Sequence, residues 1–233
     1  MPRIITKTAI NMVGEIIERL SRQHGPFIWK QRLEPVEELV TTILSQNTTD
    51  TNAARAFQSL IGKFGSLEEV AVARVEDIEI SINVSGLARQ KAVYIKEALN
   101  RIIEHQGDLS LGFLQDFPLE EAKSWLTSIL GVGKKTAAVT LCFAFGMPAM
   151  AVDTHVYRVT KRLGLIKDNT TIDRAHDLLE QMVPPEKVYS LHVSLITHGR
   201  KTCKALRPLC DSCTLADICP IGKAKNIRSC TER

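Results

Sequence analysis

Aromatic residues are scarce in this chain: 2 Trp, 3 Tyr and 7 Phe make up 5% of 233 residues. A core short of rings must be assembled from Leu, Ile, Val and Ala, which favours packed helices over a β-sandwich or barrel. Long apolar runs are missing too. No 18 consecutive apolar residues occur, and Met1 to Ile10 lacks the apolar segment of a secretory signal, so neither a membrane span nor export is expected. There is no low-complexity tract and no nicotinamide or flavin fingerprint. With 44% apolar and 24% charged residues, the composition is that of a globular protein able to bury a sizeable core. Neither sign of charge dominates. The formal net charge of +4 suits a nucleic-acid partner without requiring one.

Apolar residues recur at three- and four-residue steps through most of the chain, which predicts helices. The stretches are Ala9–Leu20, a second opened by Pro35, then Thr51–Phe64, Arg89–Glu104, Leu119–Ile129, Thr136–Phe145, His155–Leu163, Asp173–Met182 and Glu186–His198. Proline suits the first turn of a helix, where a missing N–H leaves nothing unpaired. Gly107 and Gly199 are expected just past helix ends, and Pro184-Pro185 closes another. Val75 to Val84 alternates at Ile78, Ile80 and Ile82 with a strand's period. With no partner strand signalled nearby, the segment is expected to be helix or turn. The fold class is all-α.

Of the six cysteines, four fall in one run, Cys203-x6-Cys210-x2-Cys213-x5-Cys219. In a reducing compartment such thiols are better read as metal ligands than as disulfides. Zinc and an iron–sulfur cluster both remain open. One close Cys-x2-Cys pair with two wider gaps suits the cluster better than the paired knuckles of structural zinc. Lys204 and Arg207, between the first two cysteines, either present positive charge to a ligand or belong to a solvated loop. Cys142 lies in the apolar run Val139–Phe145 and is expected in the core. Nothing assigns a role to Cys230.

Gly131-Val132-Gly133-Lys134-Lys135-Thr136 joins two helical stretches. Alternate glycines permit a tight turn and let a phosphate approach exposed N–H groups, and the following helix adds its positive end. A plain helix–turn–helix link is the competing reading. Lys135 would stand in the first turn of that helix. There the dipole, with partial burial, disfavours the charged form and favours a nucleophilic amine. Against this stands a solvated surface lysine. Asp153 is placed to cap the helix containing His155. It could equally be a carboxylate that stabilises developing positive charge. His155 is either a helper or an ordinary helix-start histidine.

Together these segments resemble the endonuclease III family of helix–hairpin–helix DNA glycosylases. The resemblance is carried by Gly131-Val132-Gly133-Lys134-Lys135-Thr136-Ala137, by Val152-Asp153-Thr154-His155-Val156-Tyr157-Arg158 at the family's lysine-to-aspartate spacing, and by His198-Gly199-Arg200 leading into the four cysteines. It implies a 4Fe-4S cluster on Cys203, Cys210, Cys213 and Cys219, and catalysis by Lys135 and Asp153. It also implies a helical barrel domain at 32–147, flanked by an N-terminal helix (1–31) that packs on a C-terminal cluster domain (148–233). The implied partner is double-stranded DNA with a damaged base or abasic site, held in a cleft between domains. The protein is expected to be monomeric, without membrane contact, in the cytoplasm of a prokaryote at the nucleoid. Gly131, Val132, Gly133 and Lys134 would grip phosphate, with His155, Lys204 and Arg207 as further DNA contacts.

Such enzymes extrude the damaged nucleotide and fill the gap. Gly86-Leu87-Ala88-Arg89-Gln90-Lys91-Ala92 matches the loop that carries the family's apolar wedge, with Leu87 as the inserted residue. In Leu44-Ser45-Gln46-Asn47-Thr48 either Gln46 or Asn47 enters the DNA, because Asn47 stands where many relatives have glutamine. Leu130 replaces a frequent proline. The lysine at 135 implies a bifunctional enzyme that excises oxidised pyrimidines and cuts the strand by β-elimination. The alternatives are the same fold with mismatched thymine, uracil or modified cytosine as substrate, or a non-catalytic iron–sulfur DNA-binding protein.

Overall fold

The structure, a computed structural model, describes residues 7–224, so Cys230 lies outside the described residues. The chain divides into two compact units, Lys30–Met147 and the pair Met1–Trp29 with Pro148–Arg233. Regular structure among the described residues consists of helices and short 3-10 turns, with no strand. The first helix, α1 (Lys7–His24), buries Val13, Ile16, Ile17 and Leu20, the i, i+3, i+4, i+7 face of an amphipathic helix.

The Lys30–Met147 unit contains seven helices: α2 (Pro35–Leu44), α3 (Asp50–Phe64), α4 (Leu67–Val72), α5 (Val75–Ser81), α6 (Ala88–Gln106), α7 (Leu119–Thr127) and α8 (Lys134–Phe145). Pro35 occupies the first turn of α2, as its lack of an N–H allows. The α2 helix packs on α3, α6 and α8, and the core between them is aliphatic, with Leu39, Ile43, Leu99 and Leu141 fully buried. Each such side chain contributes about 1.5–3 kcal/mol. The few rings form a satellite cluster, Phe113 against His105, Phe117 and Trp125. The ambiguous segment is helical: α5 is followed by a 3-10 turn, Asn83–Ser85. Its true period is four, because Ile78 and Ile82 are buried while Ile80 between them is 69% exposed.

Cys142 is fully buried in α8, and burial, with the nearby Glu38 carboxylate, pushes its thiol up to about 12. Glu38 is itself buried and accepts two hydrogen bonds from Arg32.

The unit made from both ends of the chain adds α9 (Thr154–Arg162), α10 (Ile172–Met182) and α11 (Val188–Lys201) to α1. The α11 helix packs on α1 and α9. Gly199 corrects the reading of it as a helix stop, since α11 runs on to Lys201. A Cβ there would lie 2.9 Å from the His155 Cβ, so the glycine serves close approach of α9 to α11 instead. Arg19 of α1 donates to Asp217 and to the Thr214 carbonyl at 3.0 Å, tying the helix to the cysteine loop. No helix among the described residues is long and apolar enough to cross a membrane.

Candidate functional site

In the Lys30–Met147 unit, the hairpin between α7 and α8 is shaped by two glycines with different reasons to be glycine. Gly131 has φ +83°, and a Cβ there would come within 2.2 Å of the Tyr94 ring. Both the backbone and the packing demand it. Gly133, the N-cap of α8, has an extended φ of −90° and nothing within 4 Å of an added Cβ. The fold itself does not need glycine at 133. A bare, exposed backbone at a helix N-terminus suits a ligand from outside, and an anion fits best there. Val132 is buried beneath the turn and its N–H donates to the Ile129 carbonyl at 3.1 Å, so it supports the hairpin from inside rather than facing a ligand.

Lys134 and Lys135 form the first turn of α8, and both are exposed. The position of Lys135 is the expected one, but its partial burial is not found. Two other loops of this unit flank Lys91. Gln46 is half-buried and donates through Nε2 to the Gly131 carbonyl at 3.0 Å and to Thr136 Oγ1 at 3.3 Å. Asn47 beside it is exposed, with φ +52°. Leu87, the residue before α6, has φ +50° and is 54% exposed. A bulky residue held in the left-handed region and pointed at solvent is strained by about 1–3 kcal/mol, an arrangement that clusters at ligand-binding positions.

In the other unit, Asp153 is the N-cap of α9, and its Oδ1 accepts from the Val156 N–H at 2.7 Å. Asp153 is therefore a helix cap, and among the described residues Oδ2 has no hydrogen bond. The segment leading to it is clamped. Glu180 accepts from the Met150 N–H at 2.9 Å, while the buried His176 and His192 bond the carbonyls of Met150 and Ala151 at 2.8 and 2.9 Å. Three side chains thus determine where the Asp153 backbone sits. His155 has its Nδ1 3.1 Å from Arg158 Nη2, so one ring nitrogen is engaged within the protein.

The four clustered cysteines line one cavity, together with Val159, Leu163, Leu215 and Ile221. Burial, followed by the neighbouring cysteines, raises the Cys213 thiol above its ordinary range. Among the described residues no three His, Cys, Asp or Glu side chains are arranged to hold a single metal ion. Arg162 Nη1 lies 3.3 Å from Cys203 Sγ and donates to the Lys204 carbonyl at 2.7 Å, while Nη2 donates to Ala205. Arg158 bonds the carbonyls of Cys203 and Gly199. These two arginines, one turn apart on α9, were missed in the sequence, although their i, i+4 spacing next to Asp153 was visible. Lys204 and Arg207 are exposed on the loop they brace, and Arg207 has φ +53°. Asn47, Leu87 and Arg207 are the only non-glycine residues with positive φ among the described residues.

The family described as HhH-GPD superfamily base excision DNA repair protein matches residues 40–185. The chain is 35% identical over 225 residues to endonuclease III of Thermotoga maritima, covering 95% of this chain and 98% of that one. Against endonuclease III of Escherichia coli K12 it is 33% identical over 208 residues, or 88% and 93% of the two chains. A solved structure of endonuclease III in a non-covalent complex with DNA matches with TM-score 0.79 at 29% identity, covering 97% of this chain and all of the other. A thermostable thymine-DNA glycosylase has the same fold, with TM-score 0.75 over 94% of this chain and 98% of that one at 24% identity.

Proposed function

Since the chain belongs to the endonuclease III branch of the HhH-GPD base excision repair proteins, we propose that it is a bifunctional DNA glycosylase and abasic-site lyase whose nucleophile is Lys135. The observation that carries this reading is the exposed lysine amine in the first turn of α8, directly behind an open glycine hairpin. The backbone at Gly131, Gly133 and Lys134 grips a phosphate by N–H groups and the helix dipole, with the buried Val132 supporting the turn, which positions the enzyme without reading bases. The deprotonated Lys135 Nζ attacks C1′ of the sugar, and the C1′–N bond breaks with its electron pair leaving on the base. Ring opening gives a protonated Schiff base. Loss of a C2′ proton then expels the 3′ phosphate by β-elimination, and water returns the free amine. Asp153, held at the clamped entry to α9, stabilises the cationic transition state through Oδ2 and moves the proton to or from Lys135.

Damaged pyrimidines in duplex DNA are the proposed substrate, extruded from the stack by a monomeric enzyme working at the nucleoid. Leu87 and Asn47 fill the gap, and His155, Lys204 and Arg207 add contacts to the strand. Gln46 is better suited to holding the hairpin, since its amide is already bonded there.

The four cysteines suit a 4Fe-4S cluster. A single zinc needs four sulfurs about 2.3 Å from one point. In a 4Fe-4S cluster the four thiolates bind four separate irons rather than one point, so Cys203, Cys210, Cys213 and Cys219, spread round one cavity, would hold it. When bound, the cluster would staple the 203–219 loop and so brace the backbone that carries Lys204 and Arg207.

Borohydride trapping tests the reading on two duplexes, one with an oxidised pyrimidine and one with an abasic site. A covalent adduct with both, absent for Lys135→Gln, is expected. An adduct with the abasic duplex alone would keep the lyase and move the base specificity to a mismatch or modified cytosine. No adduct with either would overturn the assignment.

A further inference from the structure

Lys91 is the one lysine or arginine among the described residues that is fully buried, at 1% exposure. It sits one turn into α6, on the face shared with Ala88, Ala92 and Ile95. Its Nζ donates to the Leu44 carbonyl at 2.7 Å and to the Ser85 carbonyl at 2.8 Å. No carboxylate pairs with it among the described residues, and burial holds its pKa below the usual lysine value. A buried ammonium without a counter-ion is an expensive way to fill a core position, so its retention calls for a use.

The two acceptors show what the use is. Leu44 is the last residue of α2, and the chain reaches Asn47 three residues later. Ser85 ends the 3-10 turn, and the chain reaches Leu87 two residues later. One ammonium therefore joins the bases of two loops whose tips carry exposed residues at positive φ. The same helix, one turn on, places the Tyr94 ring under Gly131 of the hairpin. Gln46 closes the circuit by bonding the Gly131 carbonyl.

We propose that Lys91 is a positioning residue for insertion into DNA, fixing the Asn47 loop and the Leu87 loop in one register so that both tips enter the duplex together. The proposal rests on the gap-filling roles given above to Asn47 and Leu87. It needs no contact between Lys91 and DNA. The ammonium supplies two charge-assisted hydrogen bonds that an apolar side chain of similar length cannot replace.

The test is a double-mutant cycle in the full-length, cluster-loaded protein, with Lys91→Met, Leu87→Ala and the pair. The readouts are single-turnover excision from a damaged duplex and borohydride trapping on a single-stranded abasic oligonucleotide, where there is no gap to fill. If Lys91 acts through the wedge, each single change lowers duplex excision about tenfold, and the pair falls little further, because the second change removes what the first had disabled. Trapping on the single strand stays at the wild-type level for Lys91→Met. Additive losses, near a hundredfold for the pair, or trapping that falls in step with excision, would show a merely structural lysine. Should Lys91→Met fail to fold, Lys91→Gln, which keeps a donor, enters the same cycle. A fully active Leu87→Ala would remove the insertion reading and the proposal with it. An impaired Leu87→Ala beside a fully active Lys91 variant would overturn the proposal alone.

Discussion

Asp153 carries two assignments that one pair of substitutions separates. As an N-cap it can be replaced by asparagine, which caps as well, whereas alanine costs about 1 kcal/mol. As a carboxylate it can be replaced by neither. Asp153→Asn is expected to keep the wild-type thermal midpoint and lose at least about tenfold in excision, while Asp153→Ala loses activity and stability together. An active Asp153→Asn would leave only the cap. For Lys135→Gln, strand cleavage should disappear while affinity for a duplex stays within about threefold, since the proposed grip of the hairpin is through its backbone. Wild-type cleavage by that variant would mean another nucleophile. Cys142 gives a prediction on pH. Its native thiol is raised to about 12 from an ordinary 9, so above pH 9 the unfolded chain loses a proton that the folded one keeps, and stability falls as pH rises from there. In native protein at pH 8, peptide mapping after alkylation should find Cys142 unmodified. Residue identity and spacing made Lys135, Asp153 and the cysteine run visible as candidates. The exposure of Lys135 was not legible, nor was the bond from Gln46 to Gly131, whose two ends lie 85 positions apart in the chain. Lys91 did leave a trace: it is a lysine on an apolar stripe, a sign easily passed over as a surface residue.

Among the elements, the hairpin yields the sharpest contrast. Gly131→Ala forces a Cβ into the Tyr94 ring at a positive φ and is expected to destabilise by about 2–4 kcal/mol. Gly133→Ala meets nothing in the protein, so its stability should stay within about 0.5 kcal/mol while duplex affinity falls. Denaturant melts and a binding titration on the two variants decide it, and the idea fails if Gly133→Ala binds DNA like wild type. The helices themselves were legible because each buries one stripe, and a 3.6-residue period is local information. Two local readings went astray or stayed ambiguous for the same reason. Gly199 looked like a stop, yet it lies inside α11, because its purpose is the side of α9 facing it. The alternation at Ile78, Ile80 and Ile82 imitated a strand, and only the burial of two of the three resolves it as helix.

At the scale of the molecule, the cysteine loop belongs to the unit that also holds α1, α9, α10 and α11, and Arg19, Arg158 and Arg162 fasten it there. Cys213→Ala, which would remove one ligand of the proposed cluster, should therefore loosen that unit in preference to the other. Hydrogen exchange is expected to show lost protection in α9 and α11 and retained protection in α2 and α8, with the visible absorbance that the proposed cluster would give to the wild type absent from the variant. Equal loss in both sets of helices would refute this. The division of the chain has a further consequence, for its synthesis. The α1 helix, which buries Val13, Ile16, Ile17 and Leu20, leaves the ribosome well before α11, on which it packs and which is complete only at Lys201. At roughly 5–20 residues per second, that apolar stripe waits on the order of ten to thirty seconds for its partner. During the wait the residues from Lys30 to Met147 can finish a core of their own, while α1 remains a bare amphipathic segment for a chaperone to hold.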